Sequence, residues 1–202
     1  MELPFYEIIN KACGYLLLTQ DGRLPIDPFD TIYRRGWGLQ KYSDIAFGHN
    51  LDIDQLSRVL GSTDAAVVLG QDGYIIAYND TKPITQIKYS LAHEIGHIAL
   101  GHPQTYSTIL NFDNNTLVLR NNTAAEDEAN VFATNFLSPA PLFEYFKLND
   151  PETVELMFDI SPESAGYRAK FACWDASQVK DNLSQRIIKL YSRAVSVRLL
   201  YL

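Results

Sequence analysis

The chain is poor in sulfur and in positive charge. Its two cysteines, Cys13 and Cys173, lie far apart with no CxxC pair, which excludes a disulfide framework and a cysteine metal site and predicts reduced, buried thiols. Lys and Arg number 17 against 24 Asp and Glu, for a net charge of -7 at pH 7. That deficit argues against non-specific attraction to nucleic acid or to an anionic membrane. No apolar run approaches the ~20 residues of a membrane span. The opening segment MELPFYEIINKACGYLLL lacks a basic start and a small-residue cleavage site, so a cytoplasmic protein is expected. Asn-x-Thr triplets at Asn114 and Asn121 then carry no glycan. Neither an internal repeat nor a low-complexity tract is present.

At 202 residues and 47% hydrophobic content the chain can bury one real core. Its charge is uneven, since residues 161–202 hold seven Lys or Arg against three acids. A helix is predicted over 5–19, a loop over 21–30, a second helix from about Pro28 and another over 52–60, opened by acids where the helix dipole favours them. The β-prone runs 65–69 and 74–78 flank Gly70-Gln71-Asp72-Gly73. Asp-Gly between such runs is a strong hairpin signal. Residues 83–100 read as helix stopped by Gly101. Residues 103–122 read as a long connection with one short strand at 117–119, able to cover a site. Helices follow over 123–137, stopped before Pro139, then near 142–148, 151–158, 162–172 and 177–200.

His93-Glu94-Ile95-Gly96-His97 lies on the 83–100 helix. At about 3.6 residues per turn, His93 and His97 share a face and can reach one ion. In the H-E-x-x-H arrangement the glutamate is general base and not ligand, and zinc keeps an open position for water. Gly96 costs about 1 kcal/mol relative to Ala inside a helix, so its presence points to close packing or an unobstructed metal site. A third ligand is needed downstream. Glu126 shares a helical face with Ala129, Asn130, Ala133 and Leu137, which turns it inward. Glu128 falls about 200° away and reads as solvent-facing. Glu126 also fits a capping box begun by Thr123. Asn130, one turn beyond Glu126, is placed to hydrogen-bond the outer edge of an imidazole or to sit as an ordinary surface amide. His102, past Gly101, reads as a C-cap or exposed residue. Tyr106, Tyr167 and Arg168 are candidates for stabilising an oxyanion.

These residues carry a resemblance. His93-Glu94-Ile95-Gly96-His97 followed by Glu126-Asp127-Glu128-Ala129-Asn130-Val131-Phe132-Ala133 resembles the ImmA/IrrE family of metallopeptidases, with HExGH and a downstream ExxANxFA helix. The likeness extends to the hairpin, to Pro139, and to Phe158-Asp159-Ile160-Ser161 with Arg168, covering roughly residues 65–170. Phe136-Leu137-Ser138-Pro139 departs from the Leu-Leu-Met-Pro common in the family. The resemblance implies a gluzincin-like site with zinc on His93, His97 and Glu126 and Glu94 as base. It further implies regulatory cleavage of a helix-turn-helix repressor. The expected fold is α+β: a mainly helical zincin-like domain over 1–150, with a small antiparallel sheet before the active-site helix, and a helical C-terminal extension over 151–202 packed on the same unit.

Three functions compete: a site-specific zinc endopeptidase, a metal-shaped antirepressor that displaces a repressor without cutting it, and a DNA-binding C-terminal region. The last draws on Phe158 to Ser161 with Tyr167 and Arg168, and on the basic face of Arg186, Lys189 and Arg193. Basic residues late in a helix also complement its dipole, so no direct nucleic-acid partner is expected. The hairpin strand 74–78 is a candidate edge for an extended peptide substrate.

Overall fold

The computed structural model describes residues 3–70, 72–102 and 123–202. The expected strand at 117–119, the cover over 103–122 and Tyr106 lie outside these residues. Among the described residues no helix is long and apolar enough to cross a membrane.

Helix α1 (Phe5–Thr19) buries Ile8, Ile9, Ala12, Cys13 and Leu16 along one side, the stripe its apolar spacing dictates. Asp27 accepts the Phe29 amide and so caps α2 (Pro28–Arg34), with a proline in its first turn. A short strand, β1 (Gly38–Lys41), leads directly into α3 (Tyr42–Gly48). Asp52 and Gln55 exchange hydrogen bonds in a capping box that starts α4 (Ile53–Leu60), and Gly61 ends it at φ 69°. The hairpin is β2 (Ala65–Gly70) and β3 (Gly73–Tyr78), after which α5 (Ile84–Leu100) carries the HExxH segment. Then come α6 (Thr123–Leu137), α7 (Ala140–Phe146), α8 (Pro151–Phe158), α9 (Pro162–Ala176) and α10 (Asp181–Leu199).

The result is a mainly helical α+β fold around a three-stranded mixed sheet of order β1-β3-β2. β2 runs antiparallel to β3, from Ala65 opposite Tyr78 to Gly70 opposite Gly73. β1 runs parallel to β3, from Gly38 opposite Ile75 to Lys41 opposite Tyr78. β3 is therefore the central strand. That corrects the expectation that 74–78 presents an edge: both of its sides are paired. β1 and α3 had no local signal, because Gly-Leu-Gln-Lys does not alternate and is held by pairing with a strand far along the chain.

α5 packs most extensively on α6, which also packs on α1. Ile9, Leu91, Ile95, Phe132 and Phe136 share one core with Ile187, Tyr191 and Val195 of α10. Arg168 is 1% exposed and lies inside this body. Its guanidinium pairs with Asp175, donates to Asn135 Oδ1 at 3.3 Å and to the Ser138 carbonyl at 2.6 Å, and sits 5.0 Å over the Phe143 ring. Arg168 fastens α9 to the end of α6 and can reach neither an oxyanion nor DNA. Arg186, Lys189 and Arg193 line the exposed side of α10. Of the thiols, Cys13 is buried, and its pKa is pushed up to about 12 by burial, whereas Cys173 is exposed on α9, against expectation.

Candidate metal centre

Gly101, at φ 84°, ends α5 by receiving the chain in the left-handed region, where its amide bonds back to the carbonyls of the last turn. Upstream of that stop, Ile87, Leu91 and Ile95 seat the helix in the core while His93 and His97 emerge beside α6. Gly96 permits the approach. A Cβ there would lie 3.1 Å from Phe132 Cδ1 and 3.2 Å from the Ala129 carbonyl oxygen. Close packing against α6 is the reason for the glycine.

The two helices bring three donors together. His93 Nε2 and His97 Nε2 are 2.9 Å apart, Glu126 Oε2 is 3.2 Å from the first, and Glu126 Oε1 is 3.5 Å from the second. One ligating atom from each residue lies within 4.8 Å of the others. The histidine side chains are 14% and 12% exposed, the Glu126 side chain 55%. The Glu126 carboxylate thus turns to the imidazoles from a position still open to solvent. Hydrogen bonds from His93 and His97 hold its pKa well below the usual carboxylate range. Burial opposes a charge on His93, yet Glu126, Glu94 and Asn130 together raise its pKa. The pocket favours positive charge. Two imidazoles and a carboxylate converging on one point are also donors that suit a divalent transition-metal ion, so the residues present fit such an ion.

Glu94 is 8% exposed. Burial pushes its carboxyl above the usual carboxylate range, with His97, His93 and the Val67 backbone of β2 pulling the other way. Asn130 takes the hydrogen-bonding place that its spacing allows: its Oδ1 lies 2.9 Å from His93 Nδ1 and accepts from the Tyr89 hydroxyl at 3.1 Å.

Two residues were misplaced by sequence reasoning. His102 is 9% exposed, with its Nδ1 2.8 Å from His97 Nδ1. Glu128, also 9% exposed, has Oε2 3.1 Å from His102 Nε2 and accepts the Leu3 amide on Oε1 at 2.7 Å. His102 is neither a surface cap nor exposed, and Glu128 does not face solvent. Both departures have a physical reason. The helix ends at Gly101, whose left-handed conformation turns His102 off the helical path and back towards His97. α6 is covered on a second side by α1, so a residue turned away from α5 is still buried. The one usable signal was the apolar neighbour Val131 on the Glu128 side.

A family profile described as the IrrE N-terminal-like domain, of the peptidase M78 family, matches residues 50–170. No curated protein matches the chain. The matched stretch contains His93, Glu94, His97 and Glu126 on the two helices that bring them together.

Proposed function

Because the chain belongs to the family of IrrE N-terminal-like metallopeptidase domains, we propose that it is a zinc-dependent endopeptidase that cuts a helix-turn-helix transcriptional repressor at a chosen site in the cytoplasm. The observation that carries this reading is the convergence of His93, His97 and Glu126 on one point with Glu94 between the two histidines. A zinc ion held there supplies a Lewis acid that polarises the scissile carbonyl and acidifies a water.

The chain's own residues supply the rest. Glu94 takes the proton from the attacking water and delivers it to the leaving amine. A carboxyl raised by burial is better matched to that double task near neutral pH than an ordinary one. His93, His97 and Glu126 would hold the ion with three donors, and such a site would keep room for a water. Asn130 and Tyr89 hold the outer edge of the His93 ring. For substrate binding, β2 replaces the strand expected from sequence: among the described residues it pairs only with β3. Its Val67 amide already faces Glu94, so an extended peptide added along β2 lies beside the base and the ligands.

The test is cleavage of a co-expressed repressor, read as a discrete fragment by mass spectrometry. Glu94→Gln should slow it by about a hundred- to ten-thousand-fold while leaving metal uptake intact. Full activity in Glu94→Gln rejects Glu94 as base. Repressor set free intact by wild type and Glu94→Gln alike replaces cleavage with displacement.

A further inference from the structure

We propose that Glu128 and His102 are positioning residues that fix the tautomer of His97, and that the backbone amide of Leu3 anchors the outer end of this hydrogen-bonded chain. The inference rests on reading His93, His97 and Glu126 as metal ligands, and it assigns roles to two side chains that the catalytic reading leaves unused.

The direction of the chain follows from what each group can donate. A carboxylate only accepts. Glu128 accepts from the Leu3 amide on one oxygen, and its other oxygen is 3.1 Å from His102 Nε2, so that nitrogen carries the proton. In a neutral imidazole the second nitrogen is then an acceptor. His102 Nδ1 lies 2.8 Å from His97 Nδ1, which must therefore donate. His97 Nε2 is left with a bare lone pair, aimed at the point that it shares with His93 and Glu126. Reversed, the chain fails at both ends. A lone pair on His102 Nε2 would face the lone pairs of Glu128 where both side chains are 11% exposed, and His97 would carry its proton on the nitrogen that has to ligate.

The two histidines are thus backed differently. His93 leans on a neutral amide, Asn130. His97 leans on a buried carboxylate through a second imidazole, which makes it the more rigidly held donor. The chain also couples the centre to the start of the described chain, since Leu3 precedes α1 and its amide is what orients Glu128.

Glu128→Gln reverses the relay with little change in shape. One of the two oxygens becomes an NH2 group. With Leu3 N–H holding the remaining oxygen, the new donor faces His102 Nε2, and His102 turns its proton towards His97. Zinc affinity measured by chelator competition should fall about tenfold to a hundredfold. Asp127→Asn, which removes the same charge from the exposed neighbouring position, should stay within about twofold of wild type on that scale. Zinc binding by Glu128→Gln at wild-type strength overturns the relay.

A second measurement does not depend on any variant folding. Long-range 1H–15N spectra of the metal-free wild-type chain at mildly alkaline pH read the tautomer of each of its four histidines directly. The expected pattern is Nδ1–H for His97 and Nε2–H for His102. Nε2–H on His97 overturns the proposal. A wild-type chain that takes up no zinc removes the metal reading instead, and the same spectra still decide the relay.

Discussion

Helix α6 takes part in two polar clusters, one buried and one partly open to solvent, and they are built on opposite principles. Near its end, Asn135 and the Ser138 carbonyl meet Arg168 and Asp175. There the Arg168 guanidinium and the Asn135 amide nitrogen supply the donors and a carboxylate, an amide oxygen and a carbonyl accept them, so the charges are paired within the cluster and the surplus is a donor, the buried Arg168 Nε. In its first half, Glu126, Glu128 and Asn130 meet His93, His97 and His102. There the acceptors outnumber the donors, and the surplus lone pairs converge on one point. A cluster whose charges are paired from within holds the fold, whereas one left short of positive charge calls for a cation from outside. Burial alone does not separate structure from function on this helix. The balance of donors and acceptors does.

The comparison breaks hardest at Glu126. Glu126→Ala removes the carboxylate of the proposed donor triad, a side chain that is 55% exposed and adds little to the core. Zinc in the purified chain should fall from one ion per chain to none by elemental analysis, with far-UV circular dichroism and the metal-free melting temperature nearly unchanged. A large loss of metal-free stability would place Glu126 in the structural class.

Arg168→Met is the reciprocal change. Asp175 is left buried and unpaired, which should lower stability by about 3–5 kcal/mol in urea unfolding. Adding Asp175→Leu should recover most of that loss, since an apolar pair of similar volume can replace a buried ion pair. Residual folded Arg168→Met should still bind zinc. If the double variant is no more stable than the single one, the ion pair is not the source of the effect.

Local signals carried much of this arrangement in the sequence. The helical spans around Leu91 and Phe132, the Asp-Gly turn of the hairpin and the Gly101 stop are written in neighbouring residues, and they place His93, His97 and Glu126 without tertiary information. β1 is written only in its pairing with β3, and four residues that neither alternate nor carry β-branched side chains show nothing alone. The burial of Arg168 was hidden for a similar reason: Asp175 lies two turns along its own helix, but a charged residue reads as surface until Asn135 and the Ser138 carbonyl are brought to it from α6. His102 and Glu128 combine both difficulties, one lying past the left-handed stop at Gly101 and the other on a side of α6 that a second helix covers.

The smallest expected effect tests how closely the two helices must approach for the unbalanced cluster to form. Gly96→Ala gains about 1 kcal/mol in intrinsic helix propensity. Against this, the new methyl meets Phe132 Cδ1 at 3.1 Å and the Ala129 carbonyl oxygen at 3.2 Å. The ring can turn slightly, but the carbonyl belongs to the backbone of α6 and moves only with the helix. Overpacking of this kind typically costs about 1–3 kcal/mol, so the substitution should be destabilising by about 1 kcal/mol overall. Because Ala129 lies one turn from Glu126, the shift that relieves the clash also moves the Glu126 carboxylate away from His93 and His97. Zinc affinity should therefore fall by less than about tenfold, a range set by the mildness of the strain. Chelator competition and thermal melting of the same sample separate the two effects. A variant more stable than wild type, with unchanged zinc affinity, would show that α5 and α6 have slack to spare and that the glycine is not what brings the ligands together.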